Sequence, residues 1–213
     1  MIDFFFSNWQ DILMSISEHI FISLLSLGLG VVVAVPLGIL VSKNKKLSHL
    51  VISIASILQT IPSLALLAMF VPLLGIGTVP AVAALFVYSL LPIIRNTVLG
   101  MEGVNKNTLD AAKGMGLTYH QLISKVQLPL ALPVVMAGIR LSGVYVFAWA
   151  SLAAYIGAGG LGNYIFNGLN TFNFPMILWG TIPVTCLALL YDYLMSRLEI
   201  RWSPKMSRKQ VSE

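Results

Sequence analysis

Five apolar runs, at residues 20–41, 47–74, 79–94, 130–156 and 175–198, dominate the chain. A helix needs about 20 apolar residues to cross a bilayer, and these runs approach or exceed that length. The third is short if it stops before Arg95, and reaches Val98 if it runs on. Charged residues make up 10% of the 213 and hydrophobic ones 57%, with a mean hydropathy of +0.87. No small water-soluble core buries that much apolar surface, so the excess faces lipid or other helices. Helices satisfy their own backbone groups in lipid, which makes the expected fold all-α with about five transmembrane helices.

The basic residues assign the two sides. Lys43, Lys45 and Lys46 lie between the first two runs. Arg95, Lys106, Lys113 and Lys125 lie between the third and fourth, and Arg197, Arg201, Lys205, Arg208 and Lys209 close the chain. The N-terminus, the turn at 75–78 and the connection at 157–174 contain no Lys or Arg. Cytoplasmic loops collect Lys and Arg, so the N-terminus is expected outside and the C-terminus in the cytoplasm. Asp3, Asp11 and Glu18 precede the first run, the wrong flank for a cleaved signal peptide. Residues 1–18 then read as an outer interfacial segment anchored by Phe4, Phe5, Phe6 and Trp9. Residues 19–200 form the transmembrane domain, and 201–213 a basic cytoplasmic tail, disordered by composition.

Residues 108–133 are hydrophilic and basic between apolar neighbours, as a working surface in water would be. Asn107 or Thr108 is placed to cap a helix, with Asp110 in its first turn, where the dipole favours negative charge. Ala111 and Ala112 offer a small-residue face, and Gly116, with Gly114 before it, is a natural helix stop. A second helical segment follows, and Leu128-Pro129 and Pro133 are expected to redirect the chain into apolar sequence. Short helix, glycine elbow, helix and proline turn make a docking device.

Polar residues inside apolar runs mark further candidates. In the first run Gly28, Gly30, Pro36 and Gly38 suit close helix packing or a kink. In the second, Gln59, Thr60, Pro62 and Ser63 sit midway. Pro62 removes a donor, so the helix bends or opens there, and the three polar side chains face protein or water. Pore lining or gating is the preferred reading, with local satisfaction of a proline kink the alternative. Tyr88 and Pro92 are expected to interrupt the third run similarly. Tyr88, Tyr145, Trp149 and Tyr155 present aromatic faces along a path or simply pack. Arg140 can snorkel to the cytoplasmic end, with Glu102 or Asp192 as partner.

Some patterns exclude functions. Gly157-Ala-Gly-Gly-Leu-Gly162 fits G-x-G-x-x-G, but a membrane span precedes it and residues 177–186 hold no carboxylate. A dinucleotide site needs a strand before the motif and an acid about 20 residues on, so a flexible outer elbow is the better reading. The uncharged 163–173 segment after it suits the outer interface and a partner, with plain anchoring an equal alternative. No G-x-x-x-x-G-K-[ST] loop is present, so the chain does not hydrolyse ATP by the usual route. His19, His49 and His120 lack ligand spacing, no metal set is expected, and no serine–histidine–acid set is placed for catalysis. Cys186, the single cysteine, reads as a small buried hydrophobe.

Asp110-Ala111-Ala112, three residues, Gly116, nine residues, then Val126-Gln127-Leu128-Pro129 resembles the cytoplasmic EAA loop of bacterial ABC importer permeases. That family usually has Glu and Ile where this chain has Asp110 and Val126. The resemblance implies a type I ABC importer permease (MetI-like) fold with its cytoplasmic coupling loop at 100–129. It makes Thr108, Asp110, Ala111, Ala112, Gly114, Gly116, Val126, Leu128 and Pro129 the ATPase-coupling residues. Ile57–Leu67, Leu91–Thr97, Gly114–Gly116 and Ala153–Gly162 look like the osmoprotectant permeases of the OpuC/OpuB type, which import glycine betaine, carnitine and choline. Implied partners are cytoplasmic ABC ATPase subunits, a second permease copy or a paralogous permease, an extracellular solute-binding protein and membrane lipid, with no nucleic acid. ATP and Mg would be bound by the ATPase, with no cofactor in this chain, and the location is the bacterial inner membrane. Gln59, Thr60, Pro62, Ser63, Tyr88, Tyr145 and Trp149 are the pore or gate candidates, and Gly159, Gly160, Asn163 and Asn167 the binding-protein contacts. Competing readings are a permease of the same type for methionine or another amino acid or amine, and a secondary carrier or channel.

Overall fold

The computed structural model describes residues 2–202, all helices and turns among the described residues. Lys205, Arg208 and Lys209 of the basic tail lie outside the described residues. The helices are α1 (Ile2–Val41), α2 (Lys45–Thr60), α3 (Ser63–Leu74), α4 (Thr78–Glu102), α5 (Lys106–Gly114), α6 (Tyr119–Leu122), α7 (Leu128–Trp149), α8 (Gly162–Asn170) and α9 (Phe174–Trp202). A π-helical turn, Ile123–Gln127, joins α6 to α7, and a 3-10 turn, Ala150–Ile156, extends α7. α1, α4, the Tyr119–Ile156 rod and α9 are each long and apolar enough to cross a membrane, and the bent α2–α3 pair makes up to a fifth span.

α4 is the core of the bundle. Of its most apolar window 61% is buried, against 33% for α1 and 11% for α9, so α9 forms the periphery. Small residues let the neighbours close on it. A Cβ on Gly30 of α1 would fall 2.0 Å from Ser89 Oγ, and one on Gly138 of α7 2.5 Å from the Asn96 Cβ. Such close backbone approach is how helices associate where water provides no driving force. Gly28 has nothing nearby, so within the first run only Gly30 and Gly38 fill the expected packing role.

Several sequence expectations are corrected. Residues 2–18 are helical and continuous with the first span: α1 runs unbroken for 40 residues, about 60 Å at 1.5 Å per residue and twice the thickness of the hydrocarbon layer. α4 continues past Arg95 to Glu102, because Arg95 points to the exposed side while Thr97, Val98, Gly100 and Met101 stay buried. Pro92 does not interrupt it. Pro92 is buried in the core of the bundle, and beside it Ser142 Oγ of α7 donates to the Ser89 carbonyl at 3.0 Å and Asn96 Nδ2 to the Pro92 carbonyl at 2.9 Å. Pro129 and Pro133 do not redirect the chain either. Helical backbone continues from Tyr119 to Ile156, with the widened π-turn just ahead of Pro129 accommodating its missing donor. Cys186 is exposed on the outer face of α9 instead of buried.

Pro62, by contrast, breaks its helix. Ile61 and Pro62 are extended (ψ 127° and 137°), and α2 and α3 meet at 93°. Neither half spans alone, at 16 and 12 residues.

Candidate functional site

The 103–127 loop is built from caps. The Asn105 side chain accepts the Asn107 N–H at 2.8 Å and starts α5, so the cap lies earlier than Asn107 or Thr108. Asp110 therefore falls beyond the first turn, and it pairs with Lys113 at 3.0 Å in the open, an arrangement worth little. At the other end Gly116 (φ +81°) donates its N–H to the Lys113 carbonyl at 2.9 Å, and Leu117 to that of Ala112 at 3.4 Å. That double closure is a Schellman stop, which needs the left-handed conformation glycine adopts freely. Thr118 N–H then donates to Gln121 Oε1 at 2.9 Å, opening α6.

These caps define an inner and an outer face. Ala112 is buried at 2%, with Leu109 half-buried beside it, so Ala112 belongs to the packing of the loop. Thr108, Asp110, Ala111, Gly114, Met115 and Gly116 are exposed, a small-residue ridge with one flexible apolar side chain, Met115. Val126 and Leu128 are half-buried and Pro129 exposed. Lys43, from the α1–α2 turn, lies 4.4 Å over the Tyr119 ring, and Gln127 Nε2 donates to the Met101 carbonyl of α4 at 2.9 Å. A cleft of about 360 Å³ lies between Lys43, Lys113, Tyr119 and the ends of α1 and α4. The loop is thus fastened to α1 and α4 and is one piece with α7.

The same end carries a charge clamp. Arg140 Nε and Nη2 donate to the two Asp192 oxygens at 2.6 and 2.8 Å, and Glu199 lies 3.5 Å from Nη1. Asp192 is the partner, not Glu102, and Glu199 is a second carboxylate that the sequence did not suggest. Bidentate geometry ties α7 to α9 firmly.

The aromatic pore candidates gather beside the break. Tyr88 is buried at 4% and its hydroxyl donates to the Ile61 carbonyl, the group exposed by the break. Its ring meets Trp149 edge-on at 4.7 Å, and Tyr145 stacks on Trp149 at 5.5 Å and 20°. Tyr155 lies apart, against Phe166 at 4.2 Å. Gln59 and Ser63 are half-buried and Thr60 is exposed, its hydroxyl turned back to the Ile57 carbonyl at 2.7 Å. Trp149 is the last residue of α7, so the rod that begins at the loop passes this cluster before its final 3-10 turn.

The far end is different. Gly157, Gly159 and Gly160 all have positive φ, and the Gly160 N–H donates to Glu18 Oε2 at 2.8 Å. His19 beside it is fully buried, its Nε2 donating to the Phe147 carbonyl at 2.9 Å. The Gly77 N–H reaches the Ile156 carbonyl at 2.9 Å. The elbow is therefore pinned, not flexible. Gly160 is buried, Gly159 and Asn163 are half-buried and Asn167 is exposed on α8. Glu18 was legible only as a carboxylate at the edge of an apolar run; its partner lies 142 residues away. Among the described residues no three metal-ligating side chains gather.

Residues 10–206 match the family described as binding-protein-dependent transport system inner membrane component. The carnitine transport permease protein OpuCB of Listeria monocytogenes is 52% identical over 209 residues, 98% of this chain and 96% of the relative. The glycine betaine/carnitine/choline transport system permease protein OpuCB of Bacillus subtilis (strain 168) is 49% identical over 214 residues, 100% and 99% of the two chains. An inward-facing structure of the MetNI methionine ABC transporter superposes with a TM-score of 0.85 at 22% identity, covering 93% of this chain and 99% of that one, which establishes the shared fold. Bundle, loop and kinship over nearly the whole length agree: this chain belongs to the family of binding-protein-dependent transport system inner membrane components.

Proposed function

We propose that the chain is the membrane-spanning permease subunit of an ATP-driven importer for quaternary-ammonium osmoprotectants. The solute class is that of glycine betaine, carnitine and choline, named for its relatives. One observation carries the mechanism: continuous helix from Tyr119 at the loop past Trp149, which packs on Tyr88 beside the Ile61–Pro62 break. A motor pressing on the Ala111–Gly116 ridge moves a rod that passes this break. The motor is a separate cytoplasmic ATPase, which binds ATP and Mg. The pathway forms with a second copy of this permease or a paralogous one, and an extracellular binding protein delivers the solute to the Gly159–Asn167 end. The basic end, with Lys43, Lys106, Lys113 and Lys125, faces the cytoplasm, and the cation-free elbow faces outward. Half-identity to osmoprotectant permeases favours that class over methionine, for which only the fold is shared. Co-purification of the complex with its ATPase, followed by radiolabelled glycine betaine, carnitine and choline uptake in proteoliposomes, tests the reading. Uptake that needs ATP and the binding protein supports it; a monomer transporting without an ATPase contradicts it.

A further inference from the structure

We propose that Tyr145 and Trp149, braced by Tyr88, form a transit site within the permease that receives the quaternary ammonium group by cation–π attraction. The inference rests on the solute class proposed above and adds a selectivity step inside the membrane. The order of burial is what singles the cluster out. Tyr88 is 4% exposed and fixed at both ends, its hydroxyl on the Ile61 carbonyl and its ring edge on Trp149. Trp149 is half-buried, and Tyr145 is stacked on it and 39% exposed. The stack is backed by buried Tyr88 and open at Tyr145, where it presents a negative π face. A quaternary ammonium has no N–H to donate, so hydrogen-bonding groups cannot select it, whereas an aromatic face can. Ile61 and Trp149 pack against the same apolar cluster as Tyr88, so the stack adjoins the break between α2 and α3. Among the described residues the cation–ring contacts are Lys43 with Tyr119 and Arg197 with Tyr193, and none involves these rings. Because Trp149 lies on the rod, a shift of the loop alters the station as the solute passes, which keeps binding there brief.

The test is a fluorination series at Trp149 in the full complex, by site-specific incorporation of mono-, di- and trifluorotryptophan. Fluorine weakens the π face stepwise with little change in shape. Glycine betaine and choline uptake should fall stepwise, with about a fivefold loss across the series from an exposed to partly desolvated cation–π contact. Tyr145→Leu should raise KM for choline while Tyr145→Phe retains it. A flat fluorination series in a complex that transports normally overturns the transit site alone. A wild-type complex that moves no quaternary amine overturns the proposed solute class as well.

Discussion

The two ends of the bundle contrast in how they hold their loops. At the basic end, α5 and α6 stand off the bundle on caps that are local in sequence, Asn105 to Asn107 and Gly116 to Lys113. Its long-range ties among the described residues are the Lys43–Tyr119 contact, the Gln127–Met101 bond and the packing of Leu109 and Ile123 against the apolar cluster around Met101. At the other end, the 157–161 elbow adds distant ties to its own closure of Gly157 on Ala154 and Ala158 on Ala153, with Glu18 on Gly160 and Gly77 on Ile156, in a backbone that only glycine follows easily. The hydrogen bonds of the first loop are mostly local in sequence. Those of the second also reach α1 and the turn before α4. A lever and an anchor are the natural reading of that difference.

The comparison is broken most severely at the lever. Ala111→Arg should abolish uptake and release the ATPase on purification while the protein still inserts, since Ala111 is exposed and its replacement disturbs no packing. Retained coupling in that variant means the ridge is not the docking surface. At the anchor, Gly159→Val places a Cβ 2.4 Å from Glu18 Oε2 at a φ of +83°. It should lower the melting temperature of the purified protein, with strain of about 1–3 kcal/mol, yet leave ATPase co-purification intact. Between the two ends, Tyr88→Phe leaves the Ile61 carbonyl without its donor and should destabilise by about 1–2 kcal/mol, read as a shift in thermal unfolding. The smallest effect sharpens the contrast. Lys43→Met removes a cation from the Tyr119 face, worth about 0.5–1 kcal/mol at an exposed site, and should loosen the loop, raising its hydrogen exchange without altering the elbow.

Much of this layout was legible in sequence where the physics is local. Apolar runs gave the spans, Gly116 the helix stop, Pro62 the break, and Arg140 with Asp192 the clamp. What escaped was tertiary. Pro62 and Pro92 each stand inside an apolar run. Pro92 is buried in the core of the bundle, where its helix is held from both sides and persists. Pro62 is exposed on a half-exposed span, and there the chain opens. Pro129 and Pro133 deceived in the same way, because a π-turn is invisible to composition. The aromatic trio was visible as separate residues; its convergence on the break was not. Glu18 and Gly160 are too far apart in sequence for any motif to join them.

Transmission along the Tyr119–Trp149 rod is measured directly by pulsed EPR. Cys186, exposed on α9, is first replaced by Ser. Spin labels are then placed at the exposed positions Gln121, Leu141 and Leu64, in pairs, in the assembled complex with its ATPase. Between nucleotide-free and ATP-trapped states, the Gln121–Leu141 distance should stay constant while the Leu141–Leu64 distance changes. A changing Gln121–Leu141 distance with a fixed Leu141–Leu64 distance would mean that the π-turn absorbs the stroke, and that the loop does not drive the break.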